Sequence, residues 1–300
     1  MLNDFFKLNG GTYDINSQTD LENRIATSTS LRNIIYKCTE LRESSGFKYL
    51  KVSDITFTNV SFSKTLIRNV RFYNCTFTDC LFIGTQIIDC EFYNCKFVEV
   101  NTFKISIKNS YIDPKSFVQS IPSADKANIA VYLFQQLLRN SIEQEQKEFS
   151  RSAEYYFYKW NDKLLWNKFF YGKPYKIGFR KFLSDYPLSI LFRFLFGYGL
   201  RFRNFFFTFL LVFVTFLCVN YCNWESYGLQ EKDMSIDSFR SDSVTLVSNF
   251  MYTVDVTTKL VDSQFQPTTD FGMCWLTFES IISFVLLSAL ITLIVNRFVR

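Results

Sequence analysis

A five-residue period runs through the first half of the chain and constrains its fold more than any other feature. Reading every fifth residue from Phe57 gives Phe57, Phe62, Ile67, Phe72, Phe77, Phe82, Ile87, Phe92 and Phe97. The register lapses at Thr102 and resumes with Ile107 and Ile112. Two residues ahead runs a column of smaller side chains: Ile55, Val60, Thr65, Val70, Cys75, Cys80, Thr85, Cys90, Cys95, Val100, Ile105 and Ser110. Polar residues stand just before that column, among them Asn59, Asn69, Asn74, Asp79, Asp89 and Asn94. A period of five matches neither a helix at about 3.6 residues per turn nor a flat strand at about 2. It does match a β-solenoid with one short face per repeat, in which stacked coils bury one large and one small column continuously.

This pattern resembles that of the pentapeptide-repeat family, over roughly residues 47–117. The resemblance implies a right-handed, four-sided β-helix with four repeats per coil, hence about three coils here, with Cys75 stacked under Cys95. Some members of that family mimic DNA through an acidic surface. Residues 47–117 carry nine Lys/Arg against six Asp/Glu, which argues against mimicry and against a duplex-DNA role. The four regularly spaced cysteines read as small buried thiols set by the repeat rather than as metal ligands. No metal or cofactor is expected.

Histidine is absent, which removes His-based triads and most zinc sites. There is also no Gly-rich phosphate loop and no nucleophile paired with a base, so no enzyme is expected. Met1 to Gly11 has no apolar run, which argues against a cleaved signal peptide. The eight cysteines do not form a secreted disulfide pattern, so a reducing compartment is expected for the soluble part.

After the repeat, Ala127, Ala130, Val131, Phe134, Leu137 and Leu138 recur at helical spacing. Two helices are expected, ending near Gly172 and Pro174, with Ser123 as an N-cap. From Tyr155 to Arg203 ten Lys/Arg face only Asp162 and Asp185, and aromatic residues interleave with the cations. For residues 179–203 the pattern reads as a juxtamembrane segment on lipid headgroups. For residues 155–176 two readings stand: the same lipid surface, or a nucleotide or single-stranded nucleic-acid site. Its candidate ligand-binding residues are Lys159, Trp160, Lys163, Trp166, Lys168, Lys173 and Lys176.

Asn204 to Trp224 is a run of 21 residues without a charge, and Gly272 to Val295 is a second apolar run whose one charge is Glu279. About 20 helical residues cross the hydrocarbon core of a bilayer. Arg201 and Arg203 precede the first run, and Arg297 and Arg300 follow the second. The positive-inside rule places both termini in the cytoplasm of a cell whose inner membrane holds the protein. The loop from Trp224 to Phe271 holds eight acids and three bases, consistent with an outside location.

Within that loop, Val244 to Thr258 reads as a semi-apolar helix ending in Thr257–Thr258, followed by Pro267–Thr268–Thr269 and Gly272. This order resembles the pore unit of potassium channels. Residues 250–258 stand where that family has its re-entrant pore helix, and Pro267 to Gly272 matches its P-x-T-x-x-G exit. The chain as a whole resembles bacterial pentapeptide-repeat proteins fused to a two-span channel domain, including membrane effectors of Hailong-type antiphage defence. The resemblance implies a homo-oligomer, a tetramer in that family's manner, whose pore answers a nucleotide or oligonucleotide signal. The filter departs from the family: Thr258, Lys259, Leu260, Val261 and Asp262 replace a sequence with two glycines. Filter glycines supply backbone conformations costly to other residues, so potassium selectivity is not expected. Lys259 either faces the axis and opposes cations or turns away. Asp255, one turn before Thr258, reads as a buried partner for the loop. Glu279 is a candidate partner for Lys259, and Ser283 stands near the family's hinge glycine.

The expected organisation is therefore a multidomain membrane protein. It comprises an N-terminal cap at 1–45, a β-helix at 46–118, a helical linker at 119–175, a juxtamembrane segment at 176–203 and a two-span domain at 204–300. The expected function is an oligomeric pore with a cytoplasmic sensor, its partners being lipids, further copies of itself and a nucleotide-type ligand. The alternative is a membrane-anchored binding scaffold.

Overall fold

Both columns of the repeat are turned inward. Every residue of the small column from Ile55 to Ser110 is buried, and so are Phe57, Phe62, Phe72, Phe77, Phe82 and Phe97. Thr102, where the large column lapses, is also buried, so the repeat continues in space where it breaks in sequence. The computed structural model describes residue 8 and residues 10–43, 48–231, 246–258 and 265–298. They form two compact units, Met1–Ile190 and Leu191–Arg300.

The first unit begins as a parallel β-solenoid. Its strands are β1 (Tyr13–Ile15), β2 (Ser30–Tyr36), β3 (Glu40–Arg42), β4 (Leu50–Ser53), β5 (Thr56–Ser61), β6 (Leu66–Arg68) and β7 (Val70–Tyr73). They continue with β8 (Thr76–Thr78), β9 (Gln86–Ile88), β10 (Glu91–Tyr93), β11 (Lys96–Val98), β12 (Ser106–Lys108) and β13 (Tyr111–Ile112). Helix α1 (Gln18–Thr27) lies between β1 and β2. Three parallel sheets stack in the orders β1-β2-β5-β8-β11, β13-β10-β7-β4 and β12-β9-β6-β3, and the bridges Ser61–Leu81–Asn101 add a further side. Identical positions pair one coil apart: Phe57 with Phe77, Phe72 with Phe92, Ile67 with Ile87. The rings therefore stack, at 4.9 Å for Phe57–Phe77 and Phe77–Phe97 and 4.7 Å for Phe72–Phe92.

The polar column has a backbone cause. Asn59, Asn69, Asn74, Asp79, Asp89, Asn94 and Asn109 all adopt positive φ, between 47 and 57°. Asn and Asp tolerate this left-handed region better than other residues with a Cβ, so they mark the corners. Their side chains then bond along the stack: Asn94 Nδ2 donates to Asn74 Oδ1, and Asn74 Nδ2 to Asp54 Oδ1, each at 2.9 Å.

The solenoid is deeper than the expected three coils, since one sheet is five strands deep. Among the described residues, strand pairing starts at Tyr13, within the segment expected to be a cap. The sequence concealed these coils because Ser30 pairs with Thr56 and Glu40 with Leu66, a longer step than that of the later repeats.

At the other end, the 3-10 turn Pro114–Phe117 places Phe117 4.0 Å from Phe97. The two expected helices, α2 (Ala127–Glu143) and α3 (Lys147–Phe170), then pack together as a hairpin. Asn140, fully buried, meets the last coil as a strand would. Its Oδ1 accepts from Ser110 N at 2.9 Å, and its Nδ2 donates to Ser110 O at 2.7 Å. A helix with an amide at that point closes an open sheet edge. Ser123, expected as the helix N-cap, precedes only the 3-10 turn Ala124–Lys126 and makes no capping bond through its side chain.

The second unit holds the end of α4 (Phe179–Phe196), then α5 (Phe202–Asn223), α6 (Leu246–Thr258) and α7 (Asp270–Phe298). Helices α5 and α7 are long and apolar enough to cross a membrane. Between α4 and α5, Gly197, Tyr198 and Gly199 all have positive φ, a sharp turn that favours glycine at its ends. A two-stranded ribbon of β14 (Gln230–Glu231) and β15 (Phe265–Gln266) joins the segments flanking α6.

Candidate functional site

The arrangement of α5, α6 and α7 centres on one amide. Asn220, on the last turn of α5, is fully buried. Its Oδ1 accepts from Trp275 Nε1 of α7 at 2.9 Å and from Tyr227 Oη at 3.1 Å. Its Nδ2 donates to Thr253 Oγ1 of α6 at 3.1 Å. Thr253 Oγ1 in turn donates to Asn249 O at 2.9 Å, and Asn249 Nδ2 donates to Leu217 O at 3.0 Å. One side chain thus ties three helices and the turn after α5. Inside an apolar environment such bonds fix orientation, because breaking them strands polar groups away from water.

The exit segment is held equally closely. Thr268 Oγ1 donates to Gly228 O at 2.6 Å and Thr269 Oγ1 to Ser226 O at 2.8 Å. Gly272 N donates back to Thr269 Oγ1 at 3.1 Å, which caps the start of α7. A Cβ on Gly272 would lie 2.7 Å from Pro267 Cβ and 3.1 Å from Tyr227 Cα, so this close approach requires glycine.

Of the expected filter region, Asp255, Thr257 and Thr258 lie on the last turn of α6, all half-buried. Thr257 Oγ1 donates to Thr253 O at 2.6 Å and Thr258 Oγ1 to Val254 O at 2.8 Å, so both hydroxyls bond back to their own helix. Lys259, Leu260, Val261 and Asp262 lie outside the described residues. Glu279 and Ser283 are on α7, and both are buried. Burial, reinforced by the nearby Glu279 carboxylate, raises the Tyr227 phenol well above its usual pKa.

Thr257, Thr258 and Ser283 border a cavity of about 260 Å³, walled by Phe209, Val212 and Phe213 of α5 and Leu286 and Leu290 of α7. Ser283 Oγ has no hydrogen-bond partner among the described residues. The last carbonyls of α6 also end here, and a helix C-terminus is the negative end of its dipole.

The basic aromatic segment is dispersed rather than gathered. Trp160 is buried in the core of the first unit, with Lys163 Nζ 3.9 Å above its ring. Lys159 lies 5.9 Å from the Tyr156 ring. Lys168 donates to Tyr175 Oη at 2.8 Å. Trp166 is 39% exposed, and Lys173 and Lys176 stand exposed beyond α3. Sequence reasoning missed Asn220, Thr253, Tyr227 and Trp275. The amides Asn220 and Asn223 near the end of an otherwise apolar run were the available signal. No family profile, curated protein or solved structure matches this chain.

Proposed function

We propose that this chain is the subunit of an oligomeric membrane pore that is not potassium-selective, with a cytoplasmic β-solenoid as its regulatory part. In this reading the solenoid is the right-handed, four-sided form, α5 and α7 span the inner membrane with both termini inside, and α6 is a re-entrant pore helix. The observation that carries it is the Asn220 network, which holds a short helix between two membrane-length helices. That helix ends in two threonines beside a cavity, just before the residue 259–264 connection. A helix pinned in this way by buried polar bonds presents its C-terminal dipole at a fixed place, as a conducting path requires.

The test is single-channel current from purified protein in a planar bilayer under asymmetric KCl. Discrete conductance steps, with a reversal potential that shifts on Lys259→Glu, are expected. An inserted oligomer that stays silent, including after addition of nucleotides and short oligonucleotides, would instead assign the chain to a non-conducting membrane scaffold.

A further inference from the structure

We propose that the tip of the α3/α4 hairpin is a docking site for anionic phospholipid headgroups. Within the first unit, Phe182 of α4 stacks between Phe169 at 4.2 Å and Tyr186 at 4.8 Å. Trp166 lies 4.0 Å from Phe170 and 5.5 Å from Tyr186. This aromatic seam leaves large apolar side chains outside: Phe170 at 53%, Tyr171 at 68%, Phe179 at 63% and Leu183 at 56% exposure. Around them Lys173, Lys176, Arg180 and Lys181 are all exposed, and no acid occurs from Lys163 to Ser184.

Apolar bulk ringed by cations of one sign is the composition of a membrane-interface surface. A nucleotide would need open ring faces for stacking. Here Trp160 is buried and Lys168 lies 4.4 Å over the Tyr175 ring, while the seam rings stack on one another. Phe179 and Leu183 offer a nucleotide nothing, whereas they match acyl chains below a headgroup layer. The chain also runs from this patch through α4 directly to α5, so the bilayer is within tether range.

The inference rests on the membrane placement of α5 and α7, not on conduction. The test uses the full chain in nanodiscs of phosphatidylcholine with and without phosphatidylglycerol. Emission of Trp166, taken as the difference between the parent and W166F, is followed while the phosphatidylglycerol carries brominated chains. Quenching is expected in the phosphatidylglycerol discs. Each neutralised cation near an anionic surface weakens attraction about fivefold, so K173Q/K176Q/K181Q should weaken docking about a hundredfold and remove the quenching. Slower amide exchange across residues 171–178 in anionic discs than in zwitterionic discs provides a readout without mutation.

Unquenched Trp166 together with unchanged exchange would overturn the proposal. So would equal quenching by brominated phosphatidylcholine alone, or insensitivity to the triple substitution. A response to ATP or an oligonucleotide in place of lipid would overturn it in favour of a nucleotide site. Co-elution of the protein with the discs tests the membrane reading separately. A disc-borne protein with no Trp166 response would sink this inference alone.

Discussion

Replacing Asn220 with Leu tests whether a single amide holds the second unit together. The substitution keeps the volume close and removes three hydrogen bonds, to Thr253, Tyr227 and Trp275, of 2.9 to 3.1 Å. It also leaves the buried Tyr227 hydroxyl and the half-buried Trp275 indole N–H without their acceptor. Interhelical bonds in membrane proteins contribute about 0.6–1.7 kcal/mol each, and a stranded buried donor costs about 1–3 kcal/mol. The expected loss is therefore about 2–4 kcal/mol, within the range of those estimates once they overlap. T215A is the control, because among the described residues Thr215 Oγ1 bonds only to Leu211 O of its own helix, and it is expected to change stability by less than about 0.5 kcal/mol. Reversible unfolding in mixed micelles with increasing SDS, followed by circular dichroism, gives both values. If N220L unfolds at the same SDS fraction as T215A, the network does not position α6 and the argument for a pinned helix fails.

Three further outcomes follow from the solenoid. Phe77 is 1% exposed between two stacked phenylalanines, so F77A should cost about 3–5 kcal/mol and F77L less than about 1.5, measured by chemical denaturation. Asn74 combines a φ of 53° with ladder bonds to Asp54 and Asn94, so Asn74→Val should lower the melting temperature more than Asn74→Gly, which keeps the conformation and loses only the bonds. Burial pushes the Cys80 and Cys90 thiols from an ordinary 9.0 up to about 12. Below pH about 9 both states keep these thiols protonated, and above it the unfolded chain loses protons that the fold retains. Stability should then fall as pH rises from about 9 to 12, by up to about 1.4 kcal/mol per pH unit per thiol, and a C80A/C90A melt should show a shallower decline.

The residues differ in how far the sequence exposed their roles. The phenylalanine column and the small column were legible because a solenoid repeats one environment at a fixed step, so burial writes itself into the sequence as a period. The asparagines were legible for a related reason, since a left-handed corner restricts the residue whatever its neighbours. The first coils were not legible, because their longer steps break the period while the strands still pair. The helices α5 and α7 were visible from length and apolarity alone. Trp160 and Trp166 looked alike in sequence, six residues apart on one helix, yet one is buried beneath Lys163 and the other stands at the surface.

The sequence by itself determined the solenoid core, its corners and the two membrane-length helices, because each depends on local chemistry repeated along the chain. Only the tertiary structure decided which polar group organises the second unit. Thr253 and Trp275 lie 33 and 55 residues from Asn220 and Tyr227 only 7, with no shared spacing rule. What brings them together is the need of each buried donor and acceptor for a partner, and that need is met only after three helices have packed.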